Sequence, residues 1–296
     1  MILVVGATGL LGFEICRRLR ERERDVRALV REGSPREAEL RALGVEIAIG
    51  DLRDRASLYD ACQDVDAIIS TATAMGSKDR GLSLNEIDRK GQLRLVDVAR
   101  ESGVHTFVYV SLSPNLRPRA ALVRYKRQVE RAVRTSGMRW TILQPAAYME
   151  VWLGPKLGWN HDAGRAVVFG SGKHAMPWIS VADVAEHAIR AVDDPRLANS
   201  DLPLGGPQML TPNEVVRIFA QEAGRRYSTR HVPVLVPALL APVVELFHEG
   251  IASGMSMGAQ AARGDPIDSP LQRELELPLT TVREYAARIL RRRASS

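Results

Sequence analysis

The sequence has little material for disulfide frameworks or metal centres. Only two cysteines, Cys16 and Cys62, occur in 296 residues, which is too few for a disulfide framework or a four-cysteine zinc site. The spacing of the six histidines with cysteines and carboxylates matches no metal-ligand pattern. We therefore expect neither a disulfide framework nor a bound metal ion.

We also expect no membrane-spanning segment and no leader. Residues 232–247 form a strongly apolar run, but it is shorter than the roughly 18 residues of a span and contains Pro233, Pro237 and Pro242. We expect this run to be buried or to line a pocket. Because a strand is predicted from Ile2 onward, we expect no signal or transit peptide. The prediction is a cytoplasmic protein without a membrane span.

The excess of positive charge is small, and the basic clusters contain no aromatic residues. The chain has 41 lysines and arginines against 35 aspartates and glutamates, a net charge of +6. Much of the excess lies in residues 17–24 and 291–293, with no aromatic side chains between the arginines. Nucleic-acid-binding surfaces commonly combine basic and stacking residues. We therefore interpret these arginines as solvated helix faces and predict no nucleic-acid partner.

The chain does contain a glycine-rich turn between a predicted strand and a predicted helix. Residues 2–5 are a continuous apolar run, and residues 13–24 carry apolar side chains at helical spacing. Between them lies Gly6-Ala7-Thr8-Gly9-Leu10-Leu11-Gly12, a G-x-x-G-x-x-G variant of the dinucleotide pattern G-x-G-x-x-G. Glycines let a pyrophosphate approach the backbone, and a helix N-terminus supplies unpaired N–H groups. The turn therefore predicts a dinucleotide site.

Strands and helices alternate through the first half of the chain. Strands are predicted at 2–5, 26–30, 45–49, 67–70, 106–110 and 140–143, and helices at 13–24, 35–43, 56–62, 85–102 and 123–135. This alternation is typical of a parallel sheet covered on both faces. We predict an α/β fold, a Rossmann-type doubly wound parallel sheet with a small C-terminal substrate lobe.

The alternation stops after Pro145, and the remaining elements are more scattered. We predict a dinucleotide-binding domain over residues 1–150, to which residues 175–206 return, and a substrate lobe over residues 151–296. Within this lobe, residues 254–258 are expected to be a flexible apolar wall or a mobile loop. Other elements are predicted as a helix at 181–192, a strand at 202–204, a capping box formed by Thr211 and Glu214, and a final helix at 280–293.

Three side chains at predicted strand ends are informative, because ligands of such sheets bind beyond the carboxyl ends of the strands. Arg31 ends the second strand, nineteen residues after Gly12. An acidic residue near this position binds the ribose 2′-hydroxyl of NAD, whereas an arginine suits a 2′-phosphate, so we predict NADP(H) over NAD(H). Asp51 and Leu52 follow the third strand, beside the expected adenine pocket. The Asp51 carboxylate either accepts a hydrogen bond from the adenine amine or caps the next helix.

These residues and later segments resemble the atypical short-chain dehydrogenase/reductase superfamily, and specifically its NmrA-like branch. The resemblance covers nearly the whole chain, and it implies an NAD(P)-binding Rossmann fold. The branch includes NADPH-dependent reductases, quinone reductases, non-catalytic redox sensors and assembly factors, so it does not imply a single activity. The segments that carry the resemblance include Leu29-Val30-Arg31, Gly50-Asp51-Leu52-Arg53-Asp54, Tyr125-Lys126, Leu143-Gln144-Pro145 and Ile179-Ser180-Val181-Ala182-Asp183.

The resemblance also implies roles for particular residues. Residues 8–11 would wrap the pyrophosphate, and Ser111 would lie below the nicotinamide ring. Lys126 would hydrogen-bond the nicotinamide ribose and lower the pKa of a nearby acid. Five further residues would contact the cofactor: Thr71, Ala72 and Thr73 beside the ribose and nicotinamide, and Pro145 and Ala146 at the carboxamide through backbone groups.

One catalytic residue of the superfamily is missing. Its reductases use Tyr-x-x-x-Lys, in which both side chains share one helical face and the ammonium stabilises a tyrosinate. Leu122 stands four residues before Lys126, and Tyr125 lies about 100° around the helix from it. Lys126 is then a candidate for the acid itself, as in the isoflavone-reductase-like relatives that this branch resembles. Tyr148 is either another acid or an aromatic wall of the pocket.

We therefore predict an NADPH-dependent oxidoreductase that reduces a small apolar carbonyl, enone or quinone by hydride transfer. Lys126 would polarise or protonate the substrate, Ser111 would position its oxygen, and residues near Tyr148, Trp152 and Trp178 would close the pocket. The alternative is a non-catalytic NADP(H)-binding redox sensor, regulator or assembly factor, which the missing tyrosine favours. In that case the partner would be another protein or a second copy of the chain.

Overall fold

The computed structural model of the chain describes residues 1–77, 79 and 81–294. Ser295 and Ser296, the last residues of the predicted lobe, lie outside the described residues. The contacts divide the chain into two compact units. The first unit comprises Met1–Leu112, Ala121–Gln144 and Val184–Leu202, and the second comprises Ser113–Ala120, Pro145–Asp183 and the chain from Pro203 onward.

The described residues form strands and helices in alternation. The strands are β1 (Ile2–Val5), β2 (Val26–Val30), β3 (Glu46–Ile49), β4 (Ala67–Ser70), β5 (Thr106–Val110), β6 (Arg139–Pro145), β7 (Arg165–Phe169), β8 (Met176–Pro177), β9 (Ser200–Leu204), β10 (Met209–Leu210) and β11 (Ser228–Val232). The α-helices are α1 (Leu10–Glu21), α2 (Glu37–Ala42), α3 (Arg55–Ala61), α4 (Gln92–Glu101), α5 (Ala121–Arg134), α6 (Met149–Trp152), α7 (Val181–Asp193), α8 (Pro212–Glu222), α9 (Leu235–Glu245), α10 (Glu249–Ala261), α11 (Pro270–Glu274) and α12 (Val282–Ala294). A π-helix (Asn85–Gly91) and two 3₁₀ turns (Pro155–Leu157 and Pro195–Leu197) complete the set.

The central sheet has seven strands in the order β3-β2-β1-β4-β5-β6-β9. Neighbouring strands from β3 to β6 pair in parallel. The direction of strand order reverses at β1, as in doubly wound sheets that bind dinucleotides. Strands β1, β4 and β5 are buried at every position, which explains their continuous apolar runs. The predicted Rossmann-type α/β fold is confirmed, and β1, β2, β4 and β5 have the predicted bounds.

The first helix is displaced by three residues from its predicted position at 13–24. It begins at Leu10 because the tight turn ends at Gly9, which serves as its N-cap. It ends at Glu21 because Glu23 adopts a positive φ of 57°. The Arg24 amide then donates to the Leu19 carbonyl and closes the turn. The helix therefore starts inside the glycine-rich motif.

The predicted continuous helix at 85–102 is wrong in its first half. The chain there is wound as a π-helix over Asn85–Gly91 before α4 continues in α-helical geometry. Gly91 fits closely against the loop after β3, because a Cβ at this position would lie 2.8 Å from the Leu52 Cβ. Single π-helical turns occur often at functional sites, and this one carries the buried Asp88.

The second unit has its own apolar core, around α8. Trp159 and Trp178 are buried in it, and their indole N–H groups donate to the Val167 and Leu210 carbonyls at 3.1 and 2.8 Å. Thr211 and Glu214 form the predicted capping box at the start of α8. The parallel pairing of β7 with β11 is absent from the sequence prediction, because β11 exposes most of its side chains and shows no apolar alternation.

The C-terminal part departs from two predictions. The apolar run at 232–247 is not mainly buried, since Leu239, Leu246 and Phe247 are 76 to 86% exposed, but Ala241, Pro242 and Glu245 do line a cavity of about 130 Å³, as the other alternative predicted. Most of this run forms α9, an apolar helix that packs against α10. Residues 254–258 are not a loop but the middle of α10. Within the described ranges, no helix has the length and hydropathy needed to cross a membrane.

Candidate cofactor and catalytic site

The turn after β1 has a geometry that requires glycine at two positions. Gly6 has φ +87°, and a Cβ there would lie 2.7 Å from the Ala72 amide nitrogen. A Cβ at Gly12 would lie 2.3 Å from the Gly6 carbonyl oxygen. The Gly9 amide donates to that same carbonyl at 2.9 Å and closes the turn. The chain is therefore folded as tightly as the motif predicts, and α1 starts directly at its end.

The N-terminus of α1 has neither a side-chain cap nor an acidic residue in its first turn. The first-turn N–H groups and the helix dipole favour a negatively charged group at such an end. Leu10, in this first turn, is half exposed. A bound phosphate would supply acceptors for these N–H groups.

A cavity of about 230 Å³ lies at this edge of the sheet. It brings together predicted residues that follow four different strands of the first unit. Leu10, Leu11 and Gly12 are not among the residues that line it. The predicted residues that do line it are Gly6, Thr8, Gly9, Arg31, Asp51, Leu52, Thr71, Ala72 and Thr73, with Ser34 as an unpredicted neighbour.

Two guanidinium groups lie near the end of β2. Arg31 lines the cavity, is half exposed, and donates to Asp79 at 3.2 Å. Arg36 was missed by the sequence prediction. Its guanidinium carbon lies 3.7 Å from the centroid of the Phe13 ring, and its Nη1 donates to the Thr8 carbonyl at 3.4 Å. Arg36 thus contacts the glycine turn. The sequence signal that could have identified it is its position as a second basic residue shortly after β2.

Asp51 is held by the neighbouring Arg53. The Arg53 backbone amide and guanidinium donate to its carboxylate at 2.8 to 2.9 Å, and this pairing lowers the pKa of the Asp51 carboxyl. The proposed helix-capping role of Asp51 is wrong, because Asp54 accepts from the Ala56 and Ser57 amides at the start of α3. Asp51 instead lines the cavity as an ionised acceptor.

The hydroxyl groups of Thr71 and Thr73 serve the loop itself. Thr71 Oγ1 donates to the Val5 carbonyl at 3.1 Å and so ties the loop after β4 to β1. Thr73 Oγ1 accepts from the Met75 amide at 3.1 Å. These two threonines therefore shape the wall of the cavity through the backbone.

Two buried polar residues that the sequence prediction missed hold this same loop. Asp88 accepts from the Ala74 amide at 2.9 Å. Gln92 donates to the Ala72 carbonyl at 3.0 Å and accepts from the Ser70 hydroxyl at 2.8 Å. Both side chains are fully buried. The π-helix and the start of α4 thus fix the wall formed by residues 70–74.

Lys126 is buried at the carboxyl end of β5. Its Nζ donates to the Val110 carbonyl at 3.0 Å and to the Tyr109 hydroxyl at 3.5 Å. Burial lowers the pKa of the Lys126 ammonium, and the negative charges of Asp88 and Glu130 oppose this shift. A lysine with a lowered pKa is a better proton donor near neutral pH.

Ser111 follows β5 directly and is also buried. Its hydroxyl lies 2.5 Å from Glu130 Oε1. Glu130 lies one helical turn after Lys126, and the sequence prediction assigned it no role. At the end of β5, Lys126 thus donates a hydrogen bond to the Val110 carbonyl, and Glu130 accepts one from the Ser111 hydroxyl. The position of the tyrosine in Tyr-x-x-x-Lys is filled by Leu122, which is buried.

The remaining predicted residues belong to the second unit. Tyr148 has a buried hydroxyl without a hydrogen-bond partner among the described residues, and burial raises the pKa of its phenol. The Ala146 amide donates to the Leu204 carbonyl at 2.9 Å, and Pro145 has no N–H. The backbone at 145–146 therefore has no free N–H to donate to a nicotinamide carboxamide. Its carbonyl oxygens could still accept a hydrogen bond from the carboxamide NH₂.

Two other chemistries find no support in the structure. Within the described residues, no group of three or more histidines, cysteines and carboxylates could hold a metal ion. Residues 254–258 spell G-x-S-x-G, a pattern shared with serine hydrolases. A nucleophile elbow needs this pattern at a strand-to-helix turn, whereas Ser256 lies inside α10. Ser256 is therefore not a catalytic nucleophile of that kind.

The model of the NmrA-like family matches residues 1–286. The chain belongs to this family. The NAD(P)H azoreductase of Xenophilus azovorans is 32% identical over 228 residues, which cover 76% of this chain and 74% of that protein. The photosystem II assembly factor Ycf39 of Synechocystis is 26% identical over 275 residues, which cover 88% of this chain and 83% of that protein.

A solved structure shows the same fold. The NADPH-dependent quinone oxidoreductase QOR2 of Escherichia coli, solved with NADPH, superposes with a TM-score of 0.75. The match covers 98% of this chain and 99% of that chain, at 21% sequence identity. The proteins similar to this chain therefore include ones named as reductases and one named as an assembly factor.

Proposed function

We propose that this protein is an NADP(H)-dependent oxidoreductase that reduces a small apolar carbonyl, enone or quinone by hydride transfer. The observation that carries the proposal is Lys126, a buried ammonium donor held at the carboxyl end of β5. The uncapped N-terminus of α1 lies after β1 of the same sheet. The reductase named above, at 32% identity, supports the reaction class.

The cofactor is NADP(H) rather than NAD(H). The pyrophosphate would bind at residues 8–11, at the tight glycine turn and the uncapped N-terminus of α1. The 2′-phosphate would bind at Arg31, which offers a planar fork of donors, with Arg36 close behind it. The cavity-lining residue at the end of β2 is thus a base and not the acid that NAD would require.

Lys126 is the proposed proton donor. A lysine ammonium has three N–H donors. In the described part of the chain, two of them contact the Val110 carbonyl and the Tyr109 hydroxyl. The third N–H would be available to a ligand. The nicotinamide supplies the hydride when bound. Lys126 would polarise or protonate the substrate atom that gains negative charge. Tyr148 is the weaker candidate, because its pKa is raised and its hydroxyl is buried.

Turnover can be tested with NADPH and a panel of quinones, enones and azo dyes by following nicotinamide absorbance. The matched variants are Lys126→Ala and Lys90→Ala, since Lys90 is an exposed lysine paired with Glu86. We expect turnover with at least one acceptor, its loss in Lys126→Ala and its retention in Lys90→Ala. Equal activity of both variants would contradict the role of Lys126.

A second function has one specific observation in its favour. Leu122 replaces the usual tyrosine acid, which suits a non-catalytic NADP(H)-binding sensor or assembly factor. The similarity to Ycf39 supports the same idea. Under this alternative, calorimetry would detect NADPH binding while no acceptor in the panel is reduced. Turnover that depends on Lys126 would exclude it.

A further inference from the structure

The contact between Ser111 and Glu130 determines which way the Ser111 hydroxyl points. Ser111 Oγ and Glu130 Oε1 are 2.5 Å apart, and both residues are almost fully buried. This is the short distance typical of a hydroxyl donating to a carboxylate. A serine hydroxyl has one proton and two acceptor lone pairs, so the donor in this contact has no second proton to give.

Glu130 is surrounded by groups that keep it an acceptor. Arg127 pairs with the same oxygen that meets Ser111, and Arg134 lies 3.4 Å from the other. The Gln144 amide donates to Glu130 Oε1 at 3.5 Å. Each of these groups presents N–H donors to Glu130, so the carboxyl oxygens are acceptors in all of these contacts. The proton in the short contact therefore belongs to Ser111.

Lys126, one helical turn before Glu130 on α5, is a hydrogen-bond donor, whereas Glu130 is an acceptor. Lys126 can only donate, and it does so to the Val110 carbonyl, next to Ser111. Helix α5 thus presents a donor and a carboxylate at i and i+4 to two consecutive residues at the end of β5. The Ser111 hydroxyl proton is used in the hydrogen bond to Glu130, whereas Lys126 has a third N–H beyond its contacts with Val110 and Tyr109.

We infer that Glu130 is a positioning residue that makes Ser111 a hydrogen-bond acceptor for the ligand, so that Ser111 selects an N–H or O–H group and leaves proton donation to Lys126. This inference rests on the proposed function and revises one part of it. Ser111 would not hold a substrate carbonyl oxygen, because it has no proton for it. The donor it meets is either the nicotinamide carboxamide or a donor group on the substrate.

Two ligand pairs distinguish these sources without requiring turnover. The first pair is NADPH and its 3-acetylpyridine analogue, whose acetyl group lacks the amide N–H. The second is 2-amino- and 2-methyl-1,4-naphthoquinone, titrated into protein saturated with NADP⁺. Calorimetry gives the dissociation constants in the wild type, Ser111→Ala, Glu130→Gln and the double variant, with Glu101→Gln as an exposed control. Thermal melting shows that each variant is folded.

We expect the wild type to prefer the donor-bearing member of one pair by about five- to tenfold, the effect of one hydrogen bond. Ser111→Ala should bring that ratio close to one. In Glu130→Gln the amide can donate to Ser111, which frees the hydroxyl proton, so the preference should fall or reverse. The double variant should match Ser111→Ala, because Glu130 acts through Ser111, and Glu101→Gln should match the wild type.

The pair that responds identifies the source of the donor. Wild-type ratios near one for both pairs, or ratios that Ser111→Ala leaves unchanged, would overturn the inference. So would a Glu130→Gln variant that is folded and keeps the wild-type ratios. These binding results stand apart from the turnover test: absence of turnover would contradict the proposed function, while the ratios would still decide the role of Glu130.

Discussion

Lys126 donates a hydrogen bond to the Val110 carbonyl across 3.0 Å, at the last residue of β5. This contact fixes the ammonium at the carboxyl edge of the sheet although its own helix, α5, lies outside the sheet. Burial is the main cause of its lowered pKa, and the charges of Asp88 and Glu130 oppose it. The chemistry proposed for the site depends on this placement.

The pH profile of turnover should follow Lys126. In the proposed mechanism the ammonium is the proton donor, so kcat/KM should be highest below its pKa and fall as pH rises through it. Because burial lowers that pKa, the fall should occur at lower pH than for a free lysine. The groups that act on it are Asp88, Glu130, Arg127 and the buried Tyr109.

Asp88→Asn should move this fall to still lower pH, because it removes a charge that favours the ammonium. Asp97→Asn, an exposed change on α4, is the control and should leave the profile unchanged. A profile identical in all three proteins would contradict the link between Asp88 and Lys126.

Cofactor choice should depend on Arg31. Arg31→Ala removes charge-assisted hydrogen bonds to the 2′-phosphate, so the Kd for NADPH should rise by about tenfold or more while that for NADH changes little. Arg41→Ala, an exposed α2 variant that loses its pair with Glu37, serves as the control. Calorimetric titration with both cofactors measures this. Equal wild-type affinity for NADPH and NADH would show that the predicted selectivity is wrong.

Gly12 should not tolerate alanine. A Cβ there would lie 2.3 Å from the Gly6 carbonyl oxygen, so the turn must shift at a cost of about 1–3 kcal/mol in unfolding free energy. The shift should also weaken NADPH binding. Gly250→Ala in α10, where a Cβ has no contact closer than 3.5 Å, should do neither. Denaturant unfolding and calorimetry check both effects, and full affinity in Gly12→Ala would place the cofactor elsewhere.

Gln92 should stabilise the loop at 70–74. Gln92→Leu removes the bonds to the Ser70 hydroxyl and the Ala72 carbonyl, and leaving these groups unpaired costs about 1–3 kcal/mol each. We expect lower unfolding free energy and a higher Kd for NADPH. Gln63→Leu, an exposed change, is the control. A variant as stable as the wild type with unchanged affinity would contradict the role of the loop.

The fold and the glycine turn could be predicted because their signals are local. The strands β1, β4 and β5 are buried on both faces and read as continuous apolar runs. The turn is spelled by consecutive residues between one strand and one helix. Lys126 was identified through the resemblance to the NmrA-like branch, and its catalytic role stays a prediction.

The supporting contacts could not be predicted from spacing. Gln92 binds a loop twenty residues away, and Arg36 binds the glycine turn twenty-eight residues away. Such contacts depend on the three-dimensional path of the chain. Glu130 did have a signal, its position four residues after Lys126, but its role appears only with the Ser111 contact. The exposure of α9 was missed because an apolar sequence does not reveal how many neighbours cover a helix.

Cofactor binding at the glycine turn is tested most directly by calorimetric titration of the wild type and Gly12→Ala with NADPH. We expect one site in the wild type with a Kd in the range of about 1 µM to 1 mM, and a clear loss of affinity in the variant. Absence of binding heat in the wild type with millimolar NADPH and NADH would contradict it.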